Sequence, residues 1–152
     1  MTHLRLMFVF AHPDDESMGA GAIIAKYVAE SVDVYLLCAT RGERGWQGDE
    51  KDNPGLEGLG KIRTEELMNA AKVLGLREVN FLDYMDGDLD KVNHADAIHK
   101  IATHIRRIQP QVVVTFGPDG AYGHPDHIAI SQLTSAAIVC AADPSYTDSL
   151  NQ

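Results

Sequence analysis

The chain alternates between short apolar runs and longer amphipathic stretches. Residues 4–10, Leu-Arg-Leu-Met-Phe-Val-Phe, form a nearly continuous apolar run of the kind buried on both faces of a parallel sheet. Residues 19–30 place Ile23, Ile24, Tyr27 and Val28 at helical spacing, and residues 33–39 read as a second strand. Residues 61–75 predict a helix with Leu67, Ala70, Ala71 and Leu74 facing inward and Gly75 as its C-cap. A short third strand at 79–82, a helix at 95–109 stopped by Pro110, a fourth strand at 112–116 and a last helix at 126–142 complete the pattern. Alternation at this spacing implies βαβ units with right-handed crossovers, and so an α/β three-layer sandwich around a mostly parallel sheet. The predicted strand order is 3-2-1-4. A single domain over 1–152 is expected, since 152 residues at 45% hydrophobic content suit one core.

Segment 41–60 departs from this pattern. It carries six glycines and one proline without an apolar period, and predicts a long loop. It begins at the carboxyl end of the second strand, on the edge where open α/β sheets bind ligands. The same rim should gather residues 12–16, 40–44, 83–88 and 118–127, where polar and acidic side chains concentrate.

The net charge of -9 argues against nucleic acid or an anionic membrane surface as a partner. No apolar stretch reaches the length of a membrane span, since Lys26, Glu30 and Asp33 are among the charges that interrupt the candidates. The N-terminus enters a strand with no secretory pattern. Cys38 and Cys140 read as small buried hydrophobes rather than a disulfide, and a cytoplasmic location is expected.

The chemistry sits in two motifs. Ala11-His12-Pro13-Asp14-Asp15-Glu16 follows the first strand, and Gly123-His124-Pro125-Asp126-His127 follows the fourth. His12 with Asp15, and His124 with His127, are each three residues apart. They offer four candidates for the three protein ligands of a catalytic zinc site with one open position. Asp14, next to a ligand, is the natural base for a metal-activated water. The unused histidine and Tyr122 can supply donors to an oxyanion. A dinucleotide-binding domain is disfavoured, because the first strand leads into carboxylates rather than a Gly-x-Gly-x-x-Gly turn.

Together the two motifs resemble the LmbE/PIG-L-type N-acetylglucosaminyl deacetylases, zinc-dependent hydrolases with a Rossmann-like fold, and the resemblance runs from Leu4 to about Pro144. It implies that His12, Asp15 and His127 ligate one Zn2+ and that Asp14 is the general base. It further implies that His124 stabilises the oxyanion or protonates the leaving amine, with Asp126 orienting its ring. Tyr122 matches a tyrosine that polarises the carbonyl, Arg63 a substrate-binding arginine, and Asp86 an aspartate that binds sugar hydroxyls. An arginine and an aspartate at neighbouring strand ends do suit a polyhydroxylated ligand. Their plainer roles are a surface pair of Arg63 with Glu65 or Glu66, and a turn at Asp86 before Gly87. Glu16 reads as structural, and Trp46 either stacks on a sugar face or anchors its loop. A His₂Asp set would also accept Fe2+ or Co2+.

The expected activity is removal of the N-acetyl group from an N-acetylglucosamine-type amino sugar or its conjugate. The alternatives are an amidase on amino-sugar thiol conjugates, or a metal- or sugar-binding module with little activity. The resemblance also implies a longer fold whose C-terminal part is absent here. Strand 4 is then an exposed hydrophobic edge that invites a second chain, and so a homo-oligomer.

Overall fold

A computed structural model describes residues 3–146. Four parallel strands, β1 (Arg5–Phe10), β2 (Asp33–Thr40), β3 (Glu78–Tyr84) and β4 (Val112–Val114), form one sheet in the order β3-β2-β1-β4. Five helices connect them or follow them: α1 (Ala20–Ala29), α2 (Gly55–Leu74), α3 (His94–Ile108), the single kinked turn α4 (Gly120–Gly123) and α5 (Pro125–Ala142).

The apolar run of β1 is explained by its burial on both faces. Met7 and Val9 join Leu37 and Ala39 on one side, packed by Ala97 and Ile101 of α3 and Ile130, Leu133 and Ala137 of α5. Leu6, Phe8 and Phe10 join Leu36 and Cys38 on the other, packed by Ala20 and Ile24 of α1 and Leu67 of α2. Side chains alternate across a strand, so a central strand feeds both layers. Burying each of the larger side chains contributes roughly 1.5–3 kcal/mol. Cys38 is buried in the layer beneath α1, Cys140 packs against the layer beneath α5, and both are free thiols.

Most element boundaries shift by one or two residues from the sequence expectation, and the start of α2 by six. The predicted loop 41–60 is shorter, because α2 starts at Gly55 rather than at Lys61. Glycines within a helix cost roughly 0.5–1 kcal/mol each relative to alanine, which is why 55–60 reads as a loop. Leu59, 5% exposed, offsets this by entering the core, and Gly60 lets the 41–43 segment cross the helix closely. A Cβ at Gly60 would lie 3.1 Å from Glu43 Cγ. The fourth strand ends at Val114 instead of Phe116. Phe116 leaves the ladder and its ring lies on His127, with centroids 3.8 Å apart and planes 5° from parallel. At the sheet edge Val112 is exposed.

Candidate metal centre

The carboxyl rim of the sheet carries both motifs. After Phe10 the chain turns sharply, and the Asp15 carboxylate closes the turn. Its Oδ2 accepts from His12 N–H (2.8 Å) and Ala11 N–H (3.2 Å). Asp14 has φ 100°, in the left-handed region. Buried Glu16 accepts the Asp14 N–H (3.0 Å) and the Ser17 hydroxyl, which is the structural role read from the sequence. The wide turn Asp15–Gly19 then leads into α1.

The second motif enters through α4. Gly120 has φ +63°, and a Cβ there would meet Ile128 Cγ1 at 2.7 Å and His127 Cβ at 3.2 Å. His124 is the N-cap of α5; its Nδ1 accepts from Asp126 N–H (3.2 Å), and Pro125 takes the first helical position. One turn into the helix, His127 is 3% exposed, and its Nδ1 lies 3.3 Å from Gly120 O.

The two turns meet. His12 Nδ1 is 3.3 Å from His127 Nε2. Asp15 approaches His127 Nε2 through Oδ1 (3.4 Å) and His12 Nδ1 through Oδ2 (3.8 Å). Ligands about 2.0–2.1 Å from a tetrahedral zinc are about 3.3–3.4 Å apart, so these separations fit one small cation. The proton inventory agrees. Gly120 O can only accept, which puts a hydrogen on His127 Nδ1 and leaves Nε2 a lone pair. His12 Nε2 faces two carboxylates, Asp126 Oδ2 (2.9 Å) and Asp86 Oδ1 (3.1 Å), and so carries the hydrogen, leaving Nδ1 a lone pair. With both rings neutral, three acceptors converge without a donor among them. A divalent cation satisfies that set, and the carboxylates behind His12 are the outer partners that a metal-ligating imidazole needs. A second trio, His12, His124 and Asp126, also converges, but there the Asp126 carboxylate is already the hydrogen-bond partner of His12 Nε2 and of two backbone N–H groups.

Electrostatics point the same way. Burial opposes charge on His12, yet the hydrogen bonds to Asp126 and Asp86 outweigh it and raise its pKa to about 9. Burial raises Asp15 to about 6 in spite of its backbone donors. Burial, with the nearby His12 and His124, lowers His127 to about 4, which keeps it in the neutral form that ligates metals. At neutral pH a second proton on His12 supplies the positive charge these carboxylates favour, and a cation bound at Nδ1 would displace that proton.

The other sequence candidates fall as follows. Asp14 is about half exposed, and its Oδ2 accepts from Arg63 Nη2 (2.8 Å). The His124 ring lies 4.9 Å from His12 and 4.7 Å from His127, centroid to centroid. Tyr122 is exposed, its ring 5.3 Å from His127. Asp126 departs from its expected partner: only its backbone N–H meets His124. Its fully buried carboxylate accepts from His12, Gly87 N–H (2.7 Å) and Leu89 N–H (3.1 Å). The Asp126 carboxylate thus joins the turns that follow β1 and β3. Asp86, expected on sugar hydroxyls, is turned inward onto His12 and Arg44 N–H (3.0 Å). The sequence reading missed Phe116, the stacking floor of His127, and Arg44, whose backbone N–H holds Asp86. An aromatic at the end of an apolar run looks like one more strand residue.

A parallel α/β sandwich with two imidazoles and a carboxylate gathered at its carboxyl rim, beside a half-exposed second carboxylate, defines a Rossmann-like protein with a candidate metal centre. Residues 7–138 match the model of the GlcNAc-PI de-N-acetylase (PIG-L) family, and the chain belongs to that family. It is 39% identical over 163 residues to 1D-myo-inositol 2-acetamido-2-deoxy-alpha-D-glucopyranoside deacetylase 3 of Catenulispora acidiphila, covering 92% of this chain and 46% of that protein. The solved N,N'-diacetylchitobiose deacetylase from Pyrococcus horikoshii superposes with a TM-score of 0.81 at 25% identity, over 93% of this chain and 52% of the other. GalB, the 4-carboxy-2-hydroxymuconate hydratase from Pseudomonas putida KT2440, gives 0.81 at 28%, over 94% and 59%. The chain spans about half the length of the curated relatives it matches. No helix among the described residues is long and apolar enough to cross a membrane.

Proposed function

We propose that this chain carries the centre of a metal-dependent N-deacetylase, acting on an N-acetylglucosamine-type amino sugar or its conjugate. The observation that carries the reading is the donor trio of His12 Nδ1, His127 Nε2 and Asp15, 3.3–3.8 Å apart, with Asp14 one residue away. These three would hold a divalent cation, zinc first and Fe2+ or Co2+ as substitutes, and its chemistry there would be to acidify a water and polarise an acyl oxygen. Asp126 and Asp86 hold the His12 ring by its Nε2 hydrogen. Asp14 accepts the proton from the attacking water through its carboxylate. The water oxygen bonds to the acyl carbon, and the C–N bond then breaks. His124, whose Nδ1 already accepts a hydrogen bond, presents Nε2–H to the oxyanion, and the proton that Asp14 took from the water passes to the departing amine, giving acetate and a free amino sugar. Exposed Tyr122 stands beside His124 as a further donor to the acyl oxygen.

The test pairs elemental analysis with acetate release from 1D-myo-inositol 2-acetamido-2-deoxy-α-D-glucopyranoside and N,N'-diacetylchitobiose, with and without a chelator. Chelator-sensitive release, lost in Asp14→Ala with metal retained, is the expected result. About one metal per chain without acetate release from either compound points to the binding module. The likeness to GalB supports a second use of the same activated water, hydration of an unsaturated carboxylic acid. Consumption of such an acid without acetate release would select it.

A further inference from the structure

We propose that Arg63 is a positioning residue: it locks Asp14 through a slot built by two glycines, rather than reaching out to hydrogen-bond the substrate. This rests on the hydrolase reading with Asp14 as base.

The guanidinium is committed on three sides. Nη2 donates to Pro13 O and to Asp14 Oδ2 (2.8 Å), and Nη1 donates to Gly42 O (3.2 Å). The side chain is only 15% exposed, whereas that of Asp14 is 53% exposed. The buried partner is the support and the exposed one is presented to solvent. The slot itself depends on missing side chains. A Cβ at Gly42 (φ +68°) would lie 2.1 Å from Nη1 and 2.6 Å from Cζ, and one at Gly45 would lie 2.5 Å from Nη1. The loop after β2 is thereby shaped around the guanidinium. Buried Thr40 ties that loop to the β1 turn, its hydroxyl donating to Ala11 O (2.9 Å) and accepting from Gly42 N–H (3.2 Å).

The reason for such a support lies at Asp14. A non-glycine residue at φ 100° holds a conformation that costs about 1–3 kcal/mol and persists only when its surroundings impose it. Glu16 grips its N–H, and Arg63 grips both its carboxylate and the carbonyl just before it. Oδ2 is used by this contact, and Oδ1 is the oxygen aimed at the reaction. The planar fork spans acceptors on two strand-end loops at once, which a lysine ammonium cannot reproduce.

The experiment compares wild type, Arg63→Ala, Arg63→Lys and Gly42→Ala, each with metal content measured. Displacing a reacting group by about 1 Å costs about 100-fold. Arg63→Ala should therefore lose about 100-fold in kcat with KM changed less than about threefold, the pattern of a group acting on the transition state alone. Lysine should restore little, and Gly42→Ala, which touches only the slot, should lose kcat in the same direction. A KM raised about tenfold or more with kcat kept would place Arg63 on the substrate and overturn the proposal. Amide hydrogen exchange gives a readout independent of turnover: residues 12–17 and 41–45 should exchange at least about tenfold faster in Arg63→Ala, with the sheet unchanged. Should the wild type release no acetate, the hydrolase reading fails, and unchanged exchange would separately sink the support role. If Arg63→Ala does not fold, the other two variants decide.

Discussion

Replacing Asp126 by alanine removes the acceptor for three donors at one buried point: His12 Nε2–H at 2.9 Å, Gly87 N–H at 2.7 Å and Leu89 N–H at 3.1 Å. His12 keeps Asp86 as a second partner, so its loss is partial. The two backbone N–H groups lose their carboxylate; that of buried Leu89 is left unsatisfied at a cost of about 1–3 kcal/mol, while that of exposed Gly87 can turn to water. With the small void added, the change should destabilise the fold by about 3–5 kcal/mol, the range found when one partner of a buried charged pair is removed. That is a large share of a total of about 5–15 kcal/mol. Asparagine distinguishes geometry from charge. Asp126 Oδ2 serves His12 and Gly87, while Oδ1 serves Leu89, so one amide oxygen satisfies only one side and an NH₂ meets a donor on the other. Asp126→Asn should therefore fall between wild type and alanine. Urea unfolding followed by circular dichroism, with unchanged m, reads both values. Competition with a zinc-chelating dye should show affinity lowered about 10–100-fold in either variant, because His12 loses an orienting partner. An alanine variant within about 0.5 kcal/mol of wild type and with wild-type affinity would refute the account of this residue.

Three further outcomes follow from other parts of the molecule. Gly120→Ala forces a Cβ against Ile128 and His127 at φ +63°, and should cost about 1–3 kcal/mol in thermal or urea unfolding while lowering zinc affinity; an unperturbed variant would mean the α4 turn relaxes freely. Burial pushes the Cys38 thiol up, so a disulfide-exchange reagent should label Cys140 in the native protein and Cys38 only on unfolding, a contrast that mass spectrometry of labelled peptides would expose or deny. Arg107 holds Glu78 below the ordinary carboxylate range, so the pair stabilises the fold above the unfolded pKa and is lost as pH falls through the folded one. The pair is more than a third exposed, so Arg107→Ala should cost under about 1 kcal/mol at pH 7, with the gap closing below about pH 4; a gap that widens in acid contradicts the sign.

Much of the fold and of the donor set is legible in the chain. β1 is recognisable because burial on both faces requires Leu6 to Phe10 to be apolar without alternation. His12, Asp15, His124 and His127 are recognisable as four candidates because a cation needs polar donors at matched strand ends, and it is the family resemblance, not the spacing, that selects His12, Asp15 and His127 among them. The start of α2 was hidden because the glycines that mark a loop are the same residues that let Glu43 cross the helix. The partner of Asp126 was hidden because sequence proximity to His124 says nothing of the direction a capped first turn imposes on its carboxylate.

By itself, the sequence determined the strand–helix alternation and the kinds of side chain delivered to the carboxyl rim, since periodicity and ligand chemistry are local properties. Only the tertiary structure decided which nitrogen of each imidazole faces the others, that Asp86 and Asp126 back His12, and that Arg63 lies in a glycine slot against Asp14. Those outcomes join turns far apart in the chain, 49 residues for Arg63 and Asp14 and 114 for His12 and Asp126, and no local pattern encodes how such turns are rotated when the sheet closes.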